Sequence, residues 1–457
     1  MKVSFPTKIK NPYSLFTIVL FAVIVLTYRD SLRVYLSPHK VISYDMGGYY
    51  VYLPAFFINN TTDFSFIKQH ANQSGTAIAT SQSGETVVIN KYSMGPALLL
   101  SPFFALGHLE AYYWQVPRDG FSYTYLFWMI TGCIFYSILA LFLLRHILLR
   151  YYNDIPVATT LLLLGIGSNL LFYTVYEFLM SHAYSFFLFS LALFLAIRWL
   201  DQPQLSRLLA LSFVAGLIAM TRLPNMIFFL VLVFWQVNSK ESLIKRLLLL
   251  KKHWLSLTLG FIVFLIPFVP QIIYWHTLTG YYFVNAYGSS GEHFYFSDPK
   301  IIEVLIGYRK GWLVYTPAII FGFLGLVTLF KQSKDLFWCL FIYLLINIYV
   351  ISSWHSWWYG GSFGMRALVE SSVVISIPMT AFIQYAAQNN VISHLLSILI
   401  AAFISLNMFQ SYQYHHGIIH WSQMTKQSYW TVFGVAHPAH PYLIERRNKY
   451  LLKKKVR

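Results

Sequence analysis

Apolar stretches about as long as a bilayer is thick recur along the chain, separated by short polar or basic breaks. About 20 apolar residues in a helix cross the hydrocarbon core of a membrane. On that ruler the pattern predicts helices at 13–28, 121–144, 155–175, 182–200, 205–220, 223–237, 254–275, 312–330, 336–352, 367–386 and 391–409. The stretch "LLALSFVAGLIAMTRLPNMIFFLVLVFWQV" reads as one kinked helix or two short ones, broken at Arg222-Leu223-Pro224, because proline removes a helical hydrogen bond. Segment 93–114 is apolar but interrupted by Pro96 and Pro102, and is expected to lie in the interface or re-enter it. "ANQSGTAIATSQSGETVV", 71–88, is polar and rich in Ser, Gly and Thr, and is expected to be a mobile excursion. No internal repeat stands out, which weakens a transporter built on inverted repeats.

Charge orients these helices, since basic loops favour the cytoplasmic side. With Lys2, Lys8 and Lys10 inside, two helices within 205–237 return "KESLIKRLLLLKK", 240–252, to the cytoplasm. A single helix would strand its five basic residues outside. The two-helix reading gives eleven spans, N-terminus inside and C-terminus outside. Its cytoplasmic segments, counted with Arg198 and Arg207 at the adjoining span ends, hold 14 of the 33 Lys and Arg but only Asp154, Asp201, Glu241 and Asp335 among the 16 acids. The outer face then carries a long first loop (29–120), loops at 276–311 and 353–366, and the tail. The expected architecture is an all-α polytopic bundle, 1–409, with interface helices in the first loop and a short outer tail, 410–457.

Composition agrees with a membrane protein. The chain is 57% hydrophobic and 11% charged, against about 25% charged in soluble domains, and its mean hydropathy is +0.56. The net charge of +17 comes with no groove-reading module, so nucleic acid is excluded as a partner and anionic lipid explains the charge. Cys133 and Cys339 both lie in apolar runs, which leaves no disulfide framework or zinc knuckle. The basic N-terminal lead has no small-residue cleavage site after it, and reads as a retained first span.

Ionisable residues gather at the outward ends of the spans, where they are costly and usually functional. Asp45 opens the aromatic stretch "YDMGGYYVYLPAFF" with no basic residue near it in sequence. It reads either as a helix cap or as a general base kept apart from the cations. Lys91, Arg222, Arg309, Lys310 and Arg366 are candidates for holding a phosphate, with headgroup contact or snorkelling as the plain alternative. Glu177 and His182 flank "FLMS" and either hydrogen-bond each other or serve the site. In "WHSWWYGGSFGMR", Trp354, His355, Trp358 and Tyr359 are candidate sugar or acceptor contacts, beside glycines that permit close approach. His415, His416, His420, His437 and His440 lack a fixed zinc spacing, so no metal or other cofactor is expected. One carboxylate with several cations suits substitution at a carbon bearing a phosphate leaving group: the carboxylate takes the acceptor proton, and the cations neutralise the departing phosphate.

These residues make the chain resemble the GT-C superfamily of polytopic glycosyltransferases, which includes protein O-mannosyltransferases and bacterial lipid A aminoarabinose transferases. The resemblance covers most of the chain in organisation. Asp45 in "SYDMGGYYVYLP" takes the position of the family's catalytic Asp, and Lys91 before "GPALLLSPFF" that of its carrier-phosphate Lys. Arg222 in "GLIAMTRLPN" resembles the basic residue of the turn between short helices. "VYEFLMSHAYSFF" is similar to the family's outward turn carrying acid or His residues, and "RKGWLVYTP" and "WWYGGSFGMR" to motifs of bacterial members. Met46 stands where many relatives have a second acid, and Ser93 breaks the Pro pair that follows the family's Lys. The resemblance implies an inverting transfer from a polyprenyl-phosphate sugar to a lipid, glycan or protein hydroxyl, at the periplasmic or exterior face of a bacterial inner membrane. The alternatives are a lipid-linked sugar or anion transporter, and an acyltransferase or O-antigen ligase centred on His182, His355 or an Arg.

Overall fold

The computed structural model describes residues 12–64, 66–67, 75–288, 291–437 and 441–452, without the side chain of Lys40. Lys2, Lys8, Lys10, residues 71–74 and His440 lie outside the described residues. The fold is predominantly helical. Each of the eleven expected segments coincides with an apolar helix or helix pair. Six of these helices are long and apolar enough to cross a membrane: Tyr13–Leu36, Tyr123–Leu148, Ser181–Asp201, Trp254–Thr279, Lys334–Ser352 and Asn390–His415. A seventh candidate is the pair Asp154–Gly165 and Asn169–Val175, bent by 54°. The break falls at Ile166-Gly167-Ser168, where the Ser168 hydroxyl accepts the Leu170 N–H at 3.2 Å and restarts the helix.

The remaining apolar helices, Leu205–Thr221, Leu223–Phe234, Pro317–Gln332 and Ser372–Ala386, are shorter. The stretch 205–237 is therefore two helical segments, parted at Arg222, whose backbone is extended. Their shortness is compatible with burial inside the bundle, because packed neighbours replace lipid: Ser372–Ala386 is buried along most of its length.

The segments between these helices are ordered against the bundle. Gly95–Tyr113 is one continuous helix that keeps Pro102 inside it. The polar excursion is corrected: β1 (Thr76–Thr80) and β2 (Thr86–Asn90) form an antiparallel hairpin, a small exception in a mostly helical chain. Alternation explains it, since Ala77 and Ile89 turn inward onto Ala286 while Ile78 and Val88 face out. The Gln82 N–H donates to the Thr279 carbonyl at 2.8 Å and fastens the hairpin to loop 276–311. The last long helix runs to His415, and the tail folds back on it. Buried Arg447 donates to the carbonyls of Gly417 and Ile418, the latter at 2.7 Å.

Candidate active site

The short helix Tyr44–Tyr50 carries Asp45 in its first turn. Gly48 lets the Tyr92 ring lie flat on this helix, since a Cβ there would stand 2.2 Å from the ring. Strand β2 delivers that ring: the Asn90 side chain donates to the Gly48 carbonyl at 2.6 Å and accepts the Tyr92 N–H at 3.0 Å. The Tyr92 hydroxyl consequently donates to Asp45 Oδ1. Asp45 is thus no helix cap, since its oxygens go to side chains.

Its second oxygen accepts Arg366 Nη2 at 2.5 Å. The expectation that Asp45 stands apart from the cations is overturned. Loop 353–366 folds across the site because Phe363 exchanges two hydrogen bonds with the hydroxyl of Tyr173, in the second helix of the bent pair, at 3.0 and 3.1 Å. That tether brings a residue 321 positions away onto the first loop. Burial works against the charge on Asp45, but Arg366 and the Tyr92 hydroxyl outweigh it and hold the carboxyl below its ordinary range. The pair stays partly open, with 25% of the Asp45 side chain and 12% of Arg366 exposed.

Deeper lies a second charge set. Arg222, where the two short helices part, donates to Glu370 Oε1 at 2.5 Å. The His182 Nδ1 is 3.2 Å from the other Glu370 oxygen and 3.3 Å from Arg222. His182 therefore partners Glu370 and not Glu177. The Tyr359 ring lies 5.7 Å from the Arg222 guanidinium. Lys91 pairs with Glu292 at 3.0 Å and reaches over the Tyr92 and Tyr287 rings. Glu177 sits in the turn beside Met180, whose sulfur touches Arg366 at 4.0 Å. Burial raises the Glu177 carboxyl to about 7, although Arg366 and Lys310 pull it down.

Arg309 and Lys310 serve the chain itself. Arg309 donates to the Ser422 carbonyl at 2.7 Å and stacks 3.6 Å from the Trp358 ring centre. Lys310 is buried, with its ammonium on the carbonyls of Ser362 and Trp421, the latter at 2.7 Å. Desolvation there drives its pKa well down. Trp354 bridges Phe294, and the His355 N–H donates to the His293 carbonyl at 3.0 Å, so both hold loop 276–311 in place. Among the described residues no three His, Cys, Asp or Glu side chains converge as a metal-holding group.

The sequence reading missed Tyr92, Glu292 and Glu370. Glu370 carried a readable signal, as the lone acid in the apolar run 367–386. Tyr92 and Glu292 carried none, being one Tyr among 34 and one acid in an outer loop.

No protein-family model matches the chain, and no curated protein matches it in sequence. Among solved structures it is similar to the oligosaccharyltransferase of Archaeoglobus fulgidus in its apo form, at TM-score 0.53 and 12% identity, over 95% of this chain and 60% of that one. It is also similar to the archaeal oligosaccharyltransferase AglB of the same organism in complex with an inhibitory peptide and a dolichol-phosphate, at TM-score 0.47 and 12% identity, over 94% of this chain and 59% of that one. The chain spans about three-fifths of the length of each. The likeness lies in the fold: over nearly its whole length this chain folds like the membrane part that it matches in the apo oligosaccharyltransferase.

Proposed function

We propose that the chain is a membrane glycosyltransferase that moves a sugar from a polyprenyl-phosphate carrier to an acceptor hydroxyl at the outer face of the membrane. The observation that carries this reading is the partly open Asp45–Arg366 pair among further cations, on a fold similar to that of the oligosaccharyltransferase. Asp45 takes the acceptor proton as general base. The acceptor oxygen bonds to the anomeric carbon from the face opposite the leaving group, and the configuration inverts. The carbon–oxygen bond to phosphate breaks with its electron pair passing to the phosphate, whose growing charge Arg366, Lys91 and Arg222 stabilise. Arg309 and Lys310 shape the phosphate side by fixing the loops. Aromatic residues of the loops, among them Tyr359, Trp354 and Trp358, cover the sugar and isoprenoid. Eleven crossings with the N-terminus inside put this face in the periplasm or exterior of a bacterial inner membrane, where loop-charge asymmetry favours it.

The test is transfer by the purified chain from a polyprenyl-phosphate sugar donor. Asp45→Asn keeps the side-chain size and one acceptor oxygen, enough for one of the two donors Tyr92 and Arg366, and is expected to lower turnover about 10²–10⁴-fold, the usual worth of general-base catalysis. Thermal unfolding on the same sample separates lost chemistry from lost fold. A folded Asp45→Asn that transfers sugar at the parent rate removes Asp45 from the mechanism.

A further inference from the structure

Arg366 is tied to the carboxylate that has to accept a proton, and that raises a chemical difficulty. A carboxylate holding one guanidinium N–H and one phenolic O–H is a poor base, because protonating it forfeits both charge-assisted contacts. The same guanidinium is underused on its other arm. Among the described residues, Arg366 Nη1 reaches the Gly361 carbonyl at 3.3 Å and the Met180 sulfur at 4.0 Å, both weak partners. By contrast Arg222 is committed to Glu370, which is 1% exposed, and Lys310 to two carbonyls. Lys91 has its own acid, Glu292.

We propose that Asp45 and the phosphate of the lipid donor compete for Arg366, so that donor arrival is what frees Asp45 to act as base. This rests on the glycosyl-transfer reading above. A phosphate has two oxygens at the spacing of the guanidinium fork and can take Nη1 and Nη2 together, where Asp45 now holds Nη2 alone. Once released, the carboxylate has lost its compensating charge and its proton affinity rises. The acceptor hydroxyl then gives its proton to Asp45 as its oxygen bonds to the anomeric carbon. The bond to phosphate breaks with its electron pair going to the oxygen that Arg366 now faces. The order of events follows: donor first, acceptor second. A bare acceptor meets a carboxylate that is still masked.

Competition for one group is reciprocal, so removing the Asp45 charge has to strengthen phosphate binding even as it lowers turnover. The experiment measures binding of farnesyl phosphate, with farnesol as the phosphate-free control, to the full chain in lipid nanodiscs. Asp45→Asn is expected to bind farnesyl phosphate about 5–150-fold more tightly than the parent, the usual range for coupled sites. Arg366→Gln is expected to weaken binding, and Asp45→Asn placed in the Arg366→Gln background is expected to add nothing. Asp45→Ser serves beside Asp45→Asn should the latter fail to fold. Equal or weaker binding in the charge-removed variants, with clear binding by the parent, overturns the exchange and leaves the transfer reading standing. Parent binding no tighter for farnesyl phosphate than for farnesol overturns both.

Discussion

Glu177 illustrates how a single side chain is placed by its surroundings. Its carboxyl lies in the turn before Ser181–Asp201, and burial lifts it from 4.5 to about 7 against the pull of Arg366 and Lys310. A carboxyl raised on folding contributes stability in full below its unfolded value and loses it as pH climbs through the folded value. The window here is about pH 4.5 to 7. Glu177→Gln, which cannot ionise, is therefore expected to gain thermal stability relative to the parent between pH 5 and pH 8. Melting curves at the two pH values check this, and an identical offset at both would contradict it. At this scale the sequence disclosed the ionisable residues but not their pairing. Asp45, Lys91, Arg222 and Arg366 stand out because charge is rare in so apolar a chain. Their partners are 321, 201 and 148 positions distant, and no local pattern encodes such contacts.

Among elements, helices were legible and the hairpin was not. Apolar runs of helical length announce themselves, whereas β1 and β2 are five residues each and half-exposed, in a stretch whose composition resembles a linker. The break at Arg222 was readable from Pro224, yet what holds it is a neighbour. The start of Gly95–Tyr113 lies against the end of Leu205–Thr221, where a Cβ on Gly95 would stand 2.5 Å from Thr221 Cα. Backbone cannot yield as a side chain tip can. Gly95→Ala is expected to destabilise the chain by about 1–3 kcal/mol, as overpacking does, and to lower turnover because Arg222 follows Thr221. Thermal unfolding and activity of the purified variant measure both, and an unchanged melting point would mean the two helices are free to part.

At the scale of the whole molecule, the length rule recognised eleven apolar segments but does not decide how many cross. A helix of 15 residues, such as Ser372–Ala386, rises only about 22 Å at 1.5 Å per residue, against a hydrocarbon core of about 30 Å. Loop charge carries the eleven-crossing proposal instead. Single cysteines at exposed Trp114, Leu248 and Tyr450 test it with a membrane-impermeant thiol reagent on intact cells. The first and third are expected to react from outside, and the second only after permeabilisation. Reaction of position 450 from the cytoplasm alone would rule out eleven crossings.

Cys133 and Cys339, the two native thiols, are free and buried within helices. The unmodified chain is accordingly silent to such reagents and supplies its own background. The consequence reaches beyond labelling. With both cysteines withdrawn into the bundle, no disulfide can form across the first loop, loop 276–311 or the tail. The hairpin, loop 276–311 and the tail are fastened by carbonyls, ion pairs and one buried ammonium. Their attachment therefore rests on non-covalent contacts that a thiol reductant does not break.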